Sequence, residues 1–270
     1  MADREVSVDG VKVVYTDRGE GAPLLLMHGN PDTRHSWEPM LGKLGKGLRI
    51  LAPDFPGFGD SQPFPAEVDF GPDLMADFWD KFLDAATVSE PVHVVVHDFG
   101  GPWLLPWVAS QAQRVKSVFI LNTLFQRDYP WHSWARIWQR PVMGEMSMLI
   151  FNRYMMRREM RAYAPGVPPE LVDEGYSRMH RTMRRTLLRT YRAYSRPAEV
   201  FDPWEQRLSE ALADIPVYVL WGDQDPYIGK EFAERYGVGA DHRPDLGHWL
   251  HLQEPGLVAE TLGTFLQDYG

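Results

Sequence analysis

The stretch that most constrains the fold is PVHVVVHDFGGPW at residues 91–103. Val92, Val94, Val95 and Val96 form a short β-branched apolar run, which predicts a strand covered on both faces. Gly100 and Gly101 follow at once, where a tight strand-to-helix turn needs residues without bulk. Asp98 stands between the run and the glycines. A carboxylate at the sharpest point of such a turn is lifted clear of the sheet and faces whatever lies above it.

The rest of the chain supplies the sheet that this strand needs. Residues 4–8 and 11–17 alternate around Asp9-Gly10, a two-residue hairpin signal. Further strands are expected at 23–27, 48–53, 115–121, 215–220 and 238–243. Helices are expected at 35–44, from Pro72 to Ala86, from the turn at Gly100 to Gln113, and from Glu254 to Tyr269. In the second of these, Leu74, Phe78, Phe82 and Ala85 recur at spacings of three and four, one apolar stripe. The turn 54–61, DFPGFGDS, is expected to pack beneath the site and set the loop path. After Thr123 the alternation stops, and about eighty residues rich in Trp, Met, Tyr and Arg show helical spacing only. Pro165, Pro168 and Pro169 divide them into two helical halves. The order predicts an α/β fold with a mainly parallel, doubly covered sheet of eight strands and a helical lid inserted after the sixth. The core is then 1–123 with 206–270, and the cap 124–205.

Composition narrows the functions. A net charge of −9 makes nucleic acid an unfavourable partner, because phosphate binding needs clustered cations. That charge is uneven: residues 124–205 hold 14 Arg and no Lys against 9 acidic residues. The absence of Cys removes disulfides and thiolate metal sites. No run approaches the ~18 apolar residues of a membrane span, so no membrane partner is expected. The N-terminus, MADREVSVDG, has no apolar signal region, and a cytoplasmic location is expected.

Three residues then fall in a chemically meaningful order. Asp98 ends one strand, Asp225 follows the strand at 215–220, and His248 lies in a loop before the last helix. Strand ends at the carboxyl edge are where such sheets place their sites. A nucleophilic carboxylate needs a water activator, His248, and an acid to orient it, Asp225. Asp223 is expected to cap its turn, and His251 to be peripheral. In His28-Gly29-Asn30-Pro31, glycine lets a backbone N–H face the site. That loop and the N–H of Phe99 are expected to form an oxyanion hole, with the Asn30 amide as a further donor.

HGNP at 28–31, DFPGFGDS at 54–61, HDFGGP at 97–102, WGDQDP at 221–226 and GHW at 247–249 together resemble the epoxide hydrolase and haloalkane dehalogenase branch of the α/β-hydrolase superfamily. In this resemblance Asp98 replaces the serine of the usual G-x-S-x-G turn, which moves the chemistry from acyl to alkyl transfer. HGNP and DFGGP lean toward the dehalogenases, in which the asparagine helps to hold halide. The resemblance implies displacement of halide from a small haloalkane through an Asp98 ester, hydrolysed by water that His248 activates. One departure matters: the residue after the nucleophile is normally Trp, a second halide donor, and here it is Phe99. Trp131, His132, Trp134 and Trp138 are candidates to replace that donor. The alternative is an epoxide hydrolase using the same ester, in which two lid tyrosines protonate the epoxide oxygen. Tyr191 resembles the second of these, with Tyr154 or Tyr129 as the first. The implied partners are a small hydrophobic substrate and water, with no metal or organic cofactor.

Overall fold

An eight-stranded sheet organises the computed structural model, which describes residues 3–126, 128–195 and 201–269. In chain order the elements are β1 (Asp3–Val8), β2 (Val11–Arg18), β3 (Ala22–Met27), α1 (Glu38–Leu41), β4 (Leu48–Pro53), α2 (Pro72–Ala85), β5 (Val92–Asp98), α3 (Gly100–Ser110) and β6 (Val115–Thr123). Among the described residues, six α-helices follow before the sheet resumes: α4 (Ser133–Gln139), α5 (Met143–Ile150), α6 (Arg153–Tyr163), α7 (Pro169–Arg178), α8 (Arg181–Ala193) and α9 (Asp202–Leu212). The chain closes with β7 (Val217–Gly222), β8 (Asp241–Arg243), α10 (Leu250–Gln253) and α11 (Pro255–Asp268).

The strand order is β1-β2-β4-β3-β5-β6-β7-β8, antiparallel for the β1–β2 and β2–β4 pairs and parallel beyond. Period-two alternation sends neighbouring residues to opposite faces. Leu24, Leu26, Val95, Phe119, Leu121 and Leu220 share one apolar layer with Trp37, Val258 and Leu262. Leu25, Met27, Val94, Val96, Ile120 and Val219 share the other with Trp79, Phe82, Trp103 and Leu208. Every residue of β5 is buried, as its unbroken apolar run requires of a central strand.

The structure corrects several local expectations. The stripe of α2 is broader than a single row: Met75, Phe78, Trp79, Phe82 and Leu83 are buried, whereas Ala85 is exposed and Leu74 only half-buried. The helix expected at 35–44 is a 3-10 turn (Arg34–Trp37) followed by the single turn of α1. β8 spans three residues, not six, because Gly237 takes a left-handed conformation and delays the strand. The prolines at 165–169 do separate α6 from α7, but the stretch on either side is divided into five helices, α4–α8.

The turn at 54–61 lies under the site, held by a buried ion pair. Asp54 is fully buried, bonded to the Arg34 guanidinium and accepting the Arg34 backbone N–H at 2.8 Å. Arg34 also reaches Asp60 at 2.8 Å and Asp3 at 3.0 Å. Gly59 has φ +48° and lies so near Asp54 that a Cβ would sit 2.1 Å from its Oδ2. This network ties the 54–61 turn to the loop that carries Asn30. Arg34→Met should destabilise the fold by about 3–5 kcal/mol, because it leaves the Asp54 charge buried and unpaired. Urea unfolding measures this, and adding Asp54→Asn to the same chain should recover part of the loss.

Candidate active site

Asp98 has φ +48°, a left-handed conformation that a non-glycine residue adopts only when its surroundings enforce it. The enforcing contacts are backbone and side-chain atoms pressed against three glycines. A Cβ on Gly29 would lie 2.4 Å from the Asp98 Cβ, one on Gly100 2.3 Å from the Met27 carbonyl, and one on Gly101 2.1 Å from Thr123 Oγ1. The turn therefore brings Asp98 against the loop after β3.

Two backbone donors close on its carboxylate. The Asn30 N–H donates to Asp98 Oδ2 at 2.6 Å, and the Phe99 N–H donates to the same carboxylate. His248 Nε2 stands 3.7 Å from Oδ1, beyond hydrogen-bond length. On its far side, His248 Nδ1 meets Asp225 Oδ2 at 2.6 Å. Asp225 is itself held: its Oδ1 accepts from the N–H groups of Tyr227 (2.7 Å) and Ile228 (3.0 Å), and its Oδ2 accepts from Asn122 Nδ2 at 2.8 Å. Asn122 also donates to the Gly222 carbonyl and accepts the Gly222 N–H, so one amide locks the end of β6 to the end of β7.

Burial sets the charges. It raises the Asp98 carboxyl to about 6, against the opposing pull of His248 and the two N–H donors. Burial alone would depress His248, but Asp225, Asp98 and Asp32 outweigh it, and its pKa lies above the ordinary imidazole value. Asp32 is raised to about 7 by burial and by Asp98, and accepts the Trp249 indole N–H at 3.1 Å. Behind His248, His97 binds its backbone carbonyl through Nε2 at 2.8 Å. Asp32, His97 and His251 are the group of possible metal ligands among the described residues, with ligand atoms within 4.8 Å of one another. His251 is fully buried against Trp37 and His97, which corrects the expectation that it is peripheral. Asp223 pairs with His242 at 2.6 Å, away from Asp98.

A mainly apolar pocket joins these residues to the helices that follow β6. Asn30, Asp98 and His248 form its floor; Trp134, Trp138, Phe151, Met156 and Tyr191 wall it on the helical side, with His132 and Tyr227 beside them. Asn30 contributes a side-chain amide whose nitrogen and oxygen are both buried without partners. The other expected donors divide sharply. Trp134 and Tyr191 line the pocket. Trp131 stacks on Phe99 and lines a neighbouring cavity instead. Tyr154 is 76% exposed and outside the pocket, so it is not a lid donor: its position in α6 turns it to solvent, while Met156 and Met160 face inward.

Among the described residues, Tyr191 and Tyr227 are the phenols that line the pocket, Tyr129 lines the neighbouring cavity, and hydrogen bonding leaves one of these three protons free. Tyr129 donates to the Tyr227 carbonyl at 2.7 Å, and Tyr227 donates to Glu159 at 2.7 Å. Tyr191 has only His132, at 3.5 Å from its Nε2. His132 Nδ1 accepts the Ala135 N–H as the N-cap of α4, and burial lowers its pKa to about 4. The neutral ring must then carry its proton on Nε2 and present it to the Tyr191 oxygen. The Tyr191 O–H is left to point elsewhere, and burial and Asp98 hold its pKa well above the ordinary phenol value. Sequence reasoning did not find Asn122, Asp32 or Tyr227. An Asn at a strand end and a Tyr after Asp-Pro read as ordinary turn residues until the neighbouring strand is in place.

Comparison with known proteins agrees with this architecture. The model of the alpha/beta hydrolase family matches residues 24–261. The cis-3-alkyl-4-alkyloxetan-2-one decarboxylase of Xanthomonas campestris pv. campestris is 25% identical over 246 residues, 83% of this chain and 80% of that protein. The bifunctional epoxide hydrolase 2 of Mus musculus is 28% identical over 177 residues, 65% of this chain but only 30% of that longer protein. In fold, the haloalkane dehalogenase DatA from Agrobacterium tumefaciens C58 superposes with a TM-score of 0.84 at 19% identity, covering 100% of this chain and 97% of that one. With a family match running from β3 into α11 and an elbow at Asp98 that carries a carboxylate, the chain belongs to the alpha/beta hydrolase family.

Proposed function

We propose that this hydrolase opens epoxides by alkyl transfer to Asp98, with the helices after β6 acting as a cap over the site. The observation that carries the reading is the one free phenol proton, on Tyr191, in the same pocket as a carboxylate held by two N–H groups. Asp98 Oδ1 attacks a ring carbon, the C–O bond breaks, and the leaving oxygen takes the Tyr191 proton. His132 Nε2–H stabilises the phenolate. His248 then takes a proton from water, and the hydroxide attacks Cγ of the ester. Negative charge develops on Oδ2, where the Asn30 N–H already lies, with the Phe99 N–H on the same carboxyl group. Collapse releases the diol and returns the carboxylate, and the proton on His248 restores Tyr191. Water is added overall, and no cofactor is consumed.

The order of the two readings differs from that reached on sequence, which placed halide displacement first. An alkoxide leaving group needs a proton and a halide does not, so a pocket-lining phenol whose proton has no acceptor favours oxygen as the leaving atom. Phe99 withdraws one of the two halide donors. Halide displacement keeps one specific support, the unpartnered amide of Asn30. The relatives named as oxetanone decarboxylases add a strained four-membered lactone to the substrates worth assaying.

His248→Ala, exposed to styrene oxide, to 1-bromobutane and to a cis-3,4-dialkyloxetan-2-one, should accumulate a covalent adduct on Asp98 from the epoxide, read by intact mass. An adduct from the bromide alone would make halide displacement the correct reading, and no adduct from any of them would remove Asp98 as nucleophile. Tyr191→Phe should lower epoxide turnover by about 10²–10³-fold, the scale of a lost transition-state donor. It should leave bromide turnover, where present, nearly unchanged. Alkylation needs ionised Asp98, so its rate should rise with pH through about 6. Ester hydrolysis needs neutral His248, so that step should rise through a higher pKa, above the ordinary imidazole value. Single-turnover rates across pH separate the two limbs, and a hydrolysis step that falls as pH rises would contradict the role of His248 as base.

A further inference from the structure

The helix α5 is built the wrong way round for a helix of a soluble fold. Its inner face carries Gly144, Ser147 and Met148, whereas Val142, Met143, Met146, Leu149 and Ile150 are exposed on its outer side. Leu149 is 85% and Ile150 65% exposed, and Tyr154 continues the patch onto α6. Amphipathic helices put the larger apolar groups inward, and a contiguous outward patch of this kind marks a contact surface.

The surrounding charge says what kind of contact. Residues 136–163 contain six Arg against two Glu, in a chain whose net charge is −9; Arg153 and Arg157 pair with Asp173 of α7, which leaves Arg136, Arg140, Arg158 and Arg161. Arg158 and Arg161 follow Tyr154 along one exposed face of α6 and form no ion pair among the described residues; Arg140, before α5, forms none either. A second copy of this chain docked symmetrically on the patch would bring two such basic segments together, which repel. An anionic lipid surface satisfies both features at once. It buries the apolar side chains at the headgroup boundary and neutralises the arginines around them. No helix of the described residues is long and apolar enough to cross a membrane, so the contact is one that lies on the surface.

We propose that α5 and the start of α6 form a docking face for anionic membranes. The face adjoins the candidate pocket: Phe151, which walls the pocket with Trp134 and Met156, follows directly on exposed Ile150. A hydrophobic substrate dissolved in the bilayer would meet the cap at the pocket's outer wall. The expectation of no membrane partner rested on the absence of a spanning segment. It could not register an outward-facing helix stripe, because sequence periodicity does not say which side of a helix meets the core.

The test is co-sedimentation of the full chain with sucrose-loaded vesicles of phosphatidylcholine containing about a third phosphatidylglycerol, against phosphatidylcholine alone. The bound fraction should be about tenfold higher on the anionic vesicles. It should collapse at about 1 M salt, where the screening length is about 3 Å. Leu149→Glu combined with Ile150→Glu should lower binding by about tenfold or more, with the circular dichroism spectrum unchanged because neither side chain is buried. Arg158→Glu combined with Arg161→Glu should abolish the preference for anionic lipid. No binding to either vesicle would overturn the proposal, as would equal binding that ignores both pairs of substitutions. Sedimentation velocity supplies a third overturning result: a dimer dissolved by the Leu149 and Ile150 substitutions, with vesicles ignored, would make this face a protein interface.

Discussion

Two backbone N–H groups converging on one carboxylate are the constraint from which the site is built. The Phe99 amide is next in the chain, whereas the Asn30 amide reaches Asp98 only because β3 and β5 are neighbours and the segments after them turn sharply at the same edge of the sheet. The close approach tolerates no Cβ at Gly29, Gly100 or Gly101, and it holds Asp98 at a positive φ. Backbone strain of this kind persists only where the surroundings over-determine it. Here the Arg34–Asp54 pair secures the loop bearing Asn30 from below, and the packed faces of the central strand secure the elbow.

His248 is placed by a separate set of contacts that reach across the sheet. Asp225 orients the ring from one side, and Asn122 anchors that carboxylate by clasping β6 to β7. His97, one residue before Asp98, holds the backbone of His248. The sheet thus positions Asp98, His248 and the backbone N–H groups to which the proposed reaction assigns attack, water activation and charge stabilisation. The segment between β6 and β7 brings Tyr191 and His132 to the same pocket, where the proposed reaction has them meet the leaving atom. In that proposed reaction, a change in those helices alters the choice of leaving group and leaves the water-activating pair in place.

Much of this was legible in the sequence, and the boundary between what was and what was not is physical. Strand ends followed by glycines or Asp-Pro are local signals, so Asp98, Asp225 and the HGNP loop stood out, and the chain order brought His248 with them. The helical stretch after β6 carries no such punctuation. Tyr154 and Tyr191 sit in similar arginine-rich surroundings, and only the phase of each helix against its neighbours turns one to solvent and buries the other. His251 looked peripheral because its burial comes from Trp37, more than two hundred residues earlier. Asn122 became meaningful only once β7 lay beside β6.

The pocket's own charges have a selective consequence. Asp98 and Glu159 line it, and among the described residues no Arg or Lys does, although arginines crowd the outside of the same helices. Two like charges at about 4 Å cost about 4 kcal/mol at an effective dielectric near 20. A substrate carrying a carboxylate would meet that repulsion with no counter-ion in the lining to relieve it. A pocket lined in this way disfavours acids relative to uncharged ligands of the same size and shape.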